Sequence, residues 1–310
     1  MNTVDGFVDD CHARGLTDHT IETYCSCITD YLRYHHDPAA VGLNELRAYL
    51  GSLRSRGLQG STLKSYFAAI SAFYDYMMFE GTLENNPIPS FRKRYLRIKA
   101  QHGGENTRQP GSIEQMKELV SLASREILAK TMILFLAKTG LRRGEFIAMD
   151  LYDLDLERME FRVKAKAKRS NRLGFIDHEL VTALWEYLDW REPLAKTDAL
   201  WITPGGYRIS RNLVYNTVTQ YAKISGLHDP RGSLNKKFTP HCCRHFFTTQ
   251  LRRAGMKREF IKELRGDRRG DAVDIYDHID PEELRRSYLE YVPRLGAGPG
   301  RPGTLEEWIC

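Results

Sequence analysis

Residues 239–245 read Thr-Pro-His-Cys-Cys-Arg-His, and this stretch predicts a helix that opens with basic side chains. Threonine suits the capping position and proline suits the first turn, so the helix is expected to begin at Pro240 after Thr239. His241 and Arg244 are then three residues apart and share one helical face. An imidazole beside a guanidinium on that face predicts a clamp for a phosphate group.

A zinc site is the alternative interpretation of the same stretch. Its ligands would be His241, Cys242, Cys243 and His245. Adjacent cysteines point in different directions on a helix, and the chain offers no second ligand pair at zinc-site spacing. Cys242 and Cys243 are therefore expected to pack as small hydrophobic residues, with no metal or other cofactor. The six cysteines of the chain show no paired CxxC spacing and are expected to be free thiols.

A second candidate segment, residues 139–145, reads Thr-Gly-Leu-Arg-Arg-Gly-Glu. Its two glycines follow a strongly apolar helix, predicted around residues 127–136, and allow the backbone to turn tightly. Arg142 is thereby placed at a helix junction, where a guanidinium can face a phosphate. Glu145 follows three residues later, close enough to orient Arg142, although such a pair is also common as a purely structural feature.

A β-hairpin is predicted between residues 161 and 176. Phe161 and Val163 alternate with basic residues, which is the period of a strand, and Leu173 and Phe175 indicate the returning strand. The alternation places three lysines on one strand face: Lys164, Lys166 and Lys168. A lysine on a hairpin can reach a DNA groove and donate a proton, and the alternative is an ordinary exposed strand face.

The last candidate segment contains Gly266-Asp267 and, nine residues later, Tyr276. Gly266 is expected to break a helix, and Ile275 can anchor the neighbouring tyrosine to the core. Tyr288, by contrast, is interpreted as part of a terminal amphipathic helix, whose apolar stripe could dock on a neighbouring subunit.

Length and charge fit a two-domain protein that binds a polyanion. The chain has 310 residues, which exceeds a usual single domain. Residues 1–90 hold 6 basic and 11 acidic side chains, a net charge of −5. Since the whole chain has a net charge of +6, residues 91–310 have a net charge of +11. A basic remainder of this size suits nucleic acid, although it is also compatible with an ordinary solvated surface. No apolar run is long enough for a membrane span, and the first ten residues do not resemble a signal peptide, which predicts a cytoplasmic protein.

Helical spacing predicts a four- or five-helix bundle over residues 1–90, with Thr17 and Ser61 as caps. Residues 91–111 are predicted to be a linker, either a strap across a phosphate backbone or a solvated tether. The basic residues in question are Arg92, Lys93, Arg94 and Arg97. Ser112 and Gln115 form a predicted capping box at the start of the second domain, which extends to residue 295. Residues 296–310 are predicted to be a flexible tail.

Taken together and in this order, the four segments resemble the tyrosine recombinase and integrase family, across nearly the whole chain. The resemblance implies a two-domain C-clamp, mainly helical with a small β-sheet, that has a helical core-binding domain and a catalytic domain. It further implies a site-specific recombinase that cleaves and rejoins double-stranded DNA through a 3′-phosphotyrosine, as a homotetramer on DNA and without a cofactor.

The resemblance also implies the roles of individual residues. Arg142 and Arg244 correspond to the catalytic arginines, His241 to the histidine of the His-x-x-Arg box, and Tyr276 to the nucleophile. Lys166 corresponds to the hairpin lysine that protonates the leaving oxygen, with Lys168 as a rival.

One position departs from the family pattern. The family has histidine or sometimes tryptophan after the glycine where this chain has Asp267, and an ionised carboxylate would repel the scissile phosphate. Asp267 is therefore expected to orient Arg244 or the Tyr276 hydroxyl instead. Some archaeal mobile-element integrases are similar at this box, which favours an archaeal plasmid or virus as the source.

Two other functions remain open at this point: a topoisomerase of type IB, which shares the chemistry, and a DNA-binding protein that has lost catalysis. Cleavage of a suicide substrate would exclude the DNA-binding protein without catalysis. Joining of two duplexes would exclude the topoisomerase.

Overall fold

The computed structural model describes residues 3–97, 109–164, 172–267 and 279–296, and the chain divides into two compact units between residues 102 and 103. It is mainly helical with one small antiparallel sheet, which confirms the expected fold class. The helices of the first unit are α1 (Thr3–Ala13), α2 (Asp18–Tyr34), α3 (Leu43–Ser55), α4 (Gly60–Phe79) and α5 (Ile88–Tyr95).

Aromatic side chains fill the core of the first unit. Tyr31 and Tyr74 are both buried, and their hydroxyl groups lie 2.6 Å apart. The predicted cap at Thr17 is confirmed, since its hydroxyl accepts a hydrogen bond from the backbone N–H of Thr20. The predicted cap at Ser61 is wrong, because α4 already begins at Gly60 and Ser61 lies inside its first turn.

Helix α5 corrects the predicted start of the linker. Ile88 and Phe91 are buried in the core of the first unit, and the Phe91 ring stacks on Phe67 with centroids 5.2 Å apart. Three of the four basic residues predicted to lie in a linker, namely Arg92, Lys93 and Arg94, therefore lie on a packed helix. The positive charge is held on the surface of the first unit, at least up to residue 97.

The second unit is organised around α7 (Ile127–Thr139), in which ten of thirteen residues are buried. Around it lie α6 (Ile113–Leu122), α8 (Arg143–Ile147), α9 (His178–Arg191), α10 (Arg211–Ile224), α11 (Pro240–Ala254), α12 (Arg258–Arg265) and α13 (Pro281–Tyr291). The capping box of Ser112 and Gln115 is present as predicted at the start of α6. The packing of α6, α8, α9, α10 and α11 on α7 produces a core that is separate from that of the first unit, and α12 and α13 pack in a further cluster with β3 and α11.

The sheet contains β1 (Leu154–Asp155), β2 (Glu160–Val163) and β3 (Arg172–Phe175) in antiparallel order. The predicted hairpin is confirmed by the pairing of β2 with β3, in which Val163 lies opposite Arg172. Gly174 lies opposite Phe161, where an added Cβ would come within 2.2 Å of the phenylalanine ring. Residues 165–171, which include Lys166 and Lys168, lie outside the described residues.

The terminal helix α13 packs on its own chain, which corrects the expectation that its apolar stripe docks on a neighbouring subunit. Leu284 and Tyr288 are buried in a cluster with Phe175 of β3. Leu289 packs against the same cluster. This stripe is consequently satisfied within the chain and offers no argument for a tetramer.

A buried cation fixes the segment that follows α13. Lys138 of α7 is fully buried, and its Nζ lies 2.5 Å from Asp177 Oδ2 and 2.6 Å from Glu179 Oε2. It also donates to the carbonyl of Pro293 at 3.0 Å, and Glu179 accepts from the backbone N–H of Leu295 at 2.9 Å. The ammonium group thus joins α7, the start of α9 and the chain after α13.

We expect Lys138→Met to lower the free energy of unfolding by about 3–5 kcal/mol, because it leaves two largely buried carboxylates without a cation. Lys130→Met is the matched control, since Lys130 pairs with the half-exposed Glu186 at 2.8 Å and its loss should cost about 1 kcal/mol or less. Urea unfolding of both variants measures the difference. Equal losses in the two variants would refute the structural role of Lys138.

Candidate active site

Arg142 lies where the apolar helix α7 ends. Gly140 adopts the left-handed conformation (φ 61°), and a Cβ there would meet the ring of Phe247 at 2.4 Å, so glycine is required for this turn. Arg142 is the capping residue of α8. Its backbone N–H donates to Glu145 Oε2 at 2.9 Å and its Nη1 to Glu145 Oε1 at 3.1 Å, as expected from their spacing.

Arg244 projects from the first turns of α11. This helix begins at Pro240 after the cap Thr239, as predicted, and Arg244 is buried. Its Nη1 donates to the carbonyl of Gly140 at 2.7 Å, and its Nη2 donates to the carbonyl of Arg265 at 2.9 Å. The guanidinium is held by the ends of α7 and α12, so its orientation is fixed by the backbone.

The other residues of the 239–245 stretch divide between core and surface. Cys242 and Cys243 are fully buried in the core of the second unit, which confirms their interpretation as packing residues. His241 is exposed, and its ring meets that of His245 edge to face with centroids 4.6 Å apart. The sequence did not predict this histidine pair, although a spacing of four residues on a helix is compatible with it.

Asp267 joins the two arginines. Helix α12 ends at Gly266 in the left-handed conformation (φ 59°), and the carboxylate follows directly. Its Oδ1 accepts from Arg142 Nη2 and from Arg244 Nη2, each at 2.9 Å. The carbonyl of Arg265 also accepts from both guanidiniums, at 3.0 and 2.9 Å, so one carboxylate and one carbonyl bridge the same pair of cations.

The charges of this cluster shift two pKa values. Burial, together with the positive charges of Arg142 and Arg265, lowers the pKa of Arg244 to about 10 against the opposing effect of Asp267. Arg244 therefore remains protonated at neutral pH. Burial alone would raise the pKa of Glu145, but its hydrogen bonds with Arg172 and Arg142 lower it to about 2. Arg244 thus stays charged and Glu145 stays ionised across the physiological pH range.

Arg172, the first residue of β3, is a member of this cluster that the sequence did not reveal. Its place near the predicted hairpin turn favours an exposed side chain. The side chain is instead buried, and it donates to Glu145 Oε2 at 2.9 Å and to the carbonyl of Leu264 at 3.1 Å. Its position depends on contacts between distant segments, for which the sequence carries no local signal.

Lys164, directly after β2, is held by acidic partners. Its Nζ forms a short ion pair with Asp150, lies 3.1 Å from Asp153 and donates to the hydroxyl of Tyr152 at 2.9 Å. Burial would lower the pKa of Lys164, but the hydrogen bond with Asp150 and those with its other partners raise it above the usual value. A lysine with a raised pKa is a weaker acid, so the geometry does not favour Lys164 as a proton donor.

Three of the predicted site residues lie outside the described residues: Lys166, Lys168 and Tyr276. Arg92, Lys93, Arg94 and Arg97 belong to the first unit. Within the described parts of the chain, no three His, Cys, Asp or Glu side chains gather in a group that could hold a metal ion. In the same parts, no helix combines the length and apolar character needed to cross a membrane.

Two family models match the chain, one over each unit. Residues 112–283, more than half of the chain, match the phage integrase family. Residues 4–80 match the N-terminal SAM-like domain of phage integrases.

Individual proteins are similar over nearly the full length. The chain is 28% identical over 294 residues to the tyrosine recombinase XerC of Roseiflexus castenholzii. The matched residues cover 91% of this chain and 90% of that protein. Its fold is similar to that of the Tn1549 transposon integrase in complex with transposon right end DNA, with a TM-score of 0.70, 18% identity, and coverage of 94% of this chain and 99% of that one. It is also similar to a lambda integrase tetramer bound to a Holliday junction, with a TM-score of 0.67, 16% identity, and coverage of 92% and 77%.

These matches agree with the site, in which buried helix ends hold two arginines around shared acceptors. The chain belongs to the phage integrase family of tyrosine recombinases, enzymes that recombine DNA at specific sites.

Proposed function

We propose that Arg142 and Arg244 form the clamp for the scissile phosphate of this recombinase, with Tyr276 as its nucleophile. The observation that carries the proposal is the convergence of the two guanidiniums on common acceptors, with Nη2 of each donating to the same oxygen of Asp267. Two preorganised cations at one point suit the non-bridging oxygens of a phosphate, because the arginine fork matches phosphate geometry.

The reaction follows from these groups. The Tyr276 oxygen attacks the phosphorus, and the bond to the 5′-oxygen breaks while a 3′-phosphotyrosine bond forms. The tyrosine proton passes to His241 or to water, and Lys166, or its rival Lys168, gives a proton to the leaving 5′-oxygen. The two arginines stabilise the charge that develops on the non-bridging oxygens. Because the phosphotyrosine conserves the phosphodiester bond energy, rejoining by the reverse attack needs no nucleotide.

The partner in this proposal is duplex DNA with a specific recombination site, bound by a homotetramer. The lambda integrase tetramer on a Holliday junction, to which this fold is similar, supports that assembly. We propose the first unit, with α5 included, as the core-binding domain and residues 112–295 as the catalytic domain. Integration, excision or resolution of a replicon in the cytoplasm is the corresponding task.

Loss of catalysis is the second candidate function, raised by aspartate in place of the family's usual histidine. The described geometry favours an intact site, because Asp267 pairs with both arginines and leaves each of them anchored to backbone carbonyls. A degenerate site would have no need to keep two cations aligned on shared acceptors.

We expect Tyr276→Phe to abolish the covalent DNA adduct and to leave DNA binding intact, since only the nucleophilic oxygen is removed. A suicide substrate that traps the adduct on a denaturing gel measures the first effect, and a mobility shift measures the second. Tyr288→Phe is the control, because Tyr288 is buried in the core with its hydroxyl bonded to the carbonyl of Lys138. Adducts that persist in Tyr276→Phe and vanish in Tyr288→Phe would overturn the assignment.

Joining of two duplexes by the parent protein distinguishes a recombinase from a type IB topoisomerase.

We expect neutralisation of the basic residues at the end of the first unit to flatten the salt dependence of DNA binding. The slope of log K against log salt should fall by about 0.9 for each DNA phosphate that the variant no longer neutralises. The variant replaces Arg92, Lys93, Arg94 and Arg97 by glutamine, and the control replaces the exposed Arg14, Arg33, Arg125 and Arg158 in the same way. An equal change of slope in both would show that residues 92–97 have no special part in binding.

We expect Asp267→Ala to slow cleavage by less than the about 100- to 1,000-fold that removal of a direct transition-state donor costs. The carboxylate only orients Arg142 and Arg244, and backbone carbonyls continue to hold both. Asp267→Asn retains one acceptor oxygen and should be affected less, and Asp267→His should keep activity. Single-turnover cleavage rates measure these effects. Rates of both Asp267→Ala and Asp267→Asn at the Tyr276→Phe background would instead make Asp267 a general base for the tyrosine.

A further inference from the structure

Arg172 contacts two separate segments of the second unit, α8 and the end of α12. It opens β3, directly after residues 165–171, which lie outside the described part of the chain. Its Nε donates to the carbonyl of Leu264 in the last turn of α12. Its Nη1 and Nη2 point to the two carboxylate oxygens of Glu145, at 3.4 and 2.9 Å. The side chains of Arg172 and Glu145 are each only 4% exposed, so the pair is almost completely shielded from water.

Glu145 transmits this contact to the phosphate clamp. Its Oε1 accepts from the side chain of Arg142 at 3.1 Å, and its Oε2 accepts from the backbone N–H of Arg142 at 2.9 Å. Each carboxylate oxygen is thus shared between Arg142 and Arg172. A displacement of Glu145 would therefore move both the backbone and the guanidinium of Arg142.

Arg172 also supports the turn that carries Asp267. The Cα of Gly266 lies against the Arg172 guanidinium so closely that a Cβ would come within 2.5 Å of Nη1 and 2.8 Å of Cζ. Together with the hydrogen bond to the Leu264 carbonyl, this contact fixes the position of the end of α12 relative to β3. Asp267 follows immediately, so its distance to the two clamp arginines depends on the same support.

We propose that Arg172 is a positioning residue for recombination, which holds Glu145 and the Gly266 turn so that Arg142 stays aligned with Arg244 for the phosphate. This inference rests on the proposed function, in which Arg142 binds the scissile phosphate. Arginine is required here because its planar fork reaches both Glu145 oxygens and the Leu264 carbonyl at once, whereas a lysine ammonium is a single point of charge.

Arg172→Gln and Arg172→Lys test the proposal, with Arg191→Gln as the matched control. Arg191 is also a buried arginine of the second unit, but it donates only to carbonyls of residues 197–200 among the described residues. Both glutamine variants should lose stability. We expect cleavage by Arg172→Gln to fall by about 10- to 100-fold, the range typical of residues that hold a ligand in place. Arg172→Lys, which keeps the charge and folds more readily, should recover part of that activity.

A substrate with a methylphosphonate at the scissile position separates positioning from general stability. The methyl group replaces one non-bridging oxygen and removes its negative charge, so the reaction depends less on the arginine clamp. The defect of Arg172→Gln relative to the parent should therefore shrink on this substrate, as should that of Arg142→Ala. The defect of Arg191→Gln should be the same on both substrates. Equal defects of Arg172→Gln on both substrates would reduce Arg172 to a structural residue.

The pH dependence of cleavage gives an independent measurement. Arg172 is the main group that lowers the pKa of Glu145 to about 2, so its removal allows that pKa to rise. Glu145 then takes up a proton at a higher pH, and the acid limb of the cleavage profile of Arg172→Gln should move upward relative to the parent. If the acid limb of the profile moves in neither Arg172→Gln nor Arg191→Gln, the proposal is contradicted. If Arg142→Ala cleaves as fast as the parent, the phosphate clamp itself is wrong, which distinguishes failure of the proposed function from failure of this inference.

Discussion

The structure of the site depends on keeping two guanidinium groups close together, that of Arg244 buried and that of Arg142 only partly exposed to water. Like charges repel, and burial removes the water that would screen them, so the cost is offset only where acceptors surround both groups. Asp267 and the carbonyl of Arg265 each bridge Arg142 and Arg244, and Glu145 adds a second carboxylate. The alignment of the two cations is therefore a property of the ends of α7 and α12, which supply the backbone acceptors.

This requirement explains features that lie away from the arginines. The left-handed glycines at 140 and 266 turn the chain at the ends of these helices, and each is packed so tightly that a side chain would collide, with Phe247 at one and Arg172 at the other. The fully buried stretch of α7 gives a rigid base for the first turn. Lys138 ties the same helix to the chain after α13, so that the terminal helix closes the core within its own chain.

Local signals allow much of this structure to be predicted from the sequence. The cap at Thr17, the capping box of Ser112 and the start of α11 at Pro240 each depend on neighbouring residues only. One wrong prediction is local, the cap at Ser61, because α4 already begins at Gly60. The other wrong predictions concern contacts between distant segments. Basic residues around Phe91 favour a linker where α5 in fact packs on the first unit, and Arg172 resembles a turn residue because its partners lie in other parts of the chain.

The most direct test of the arginine clamp is a crystal structure of Tyr276→Phe bound to an uncut recombination site. We predict that the non-bridging oxygens of the scissile phosphate lie within ~3 Å of guanidinium nitrogens of Arg142 and Arg244. We also predict that the ring of residue 276 faces the phosphorus on the side opposite the 5′-oxygen. A scissile phosphate held by other cations, with Arg142 and Arg244 still paired only to Asp267 and Glu145, would contradict the clamp.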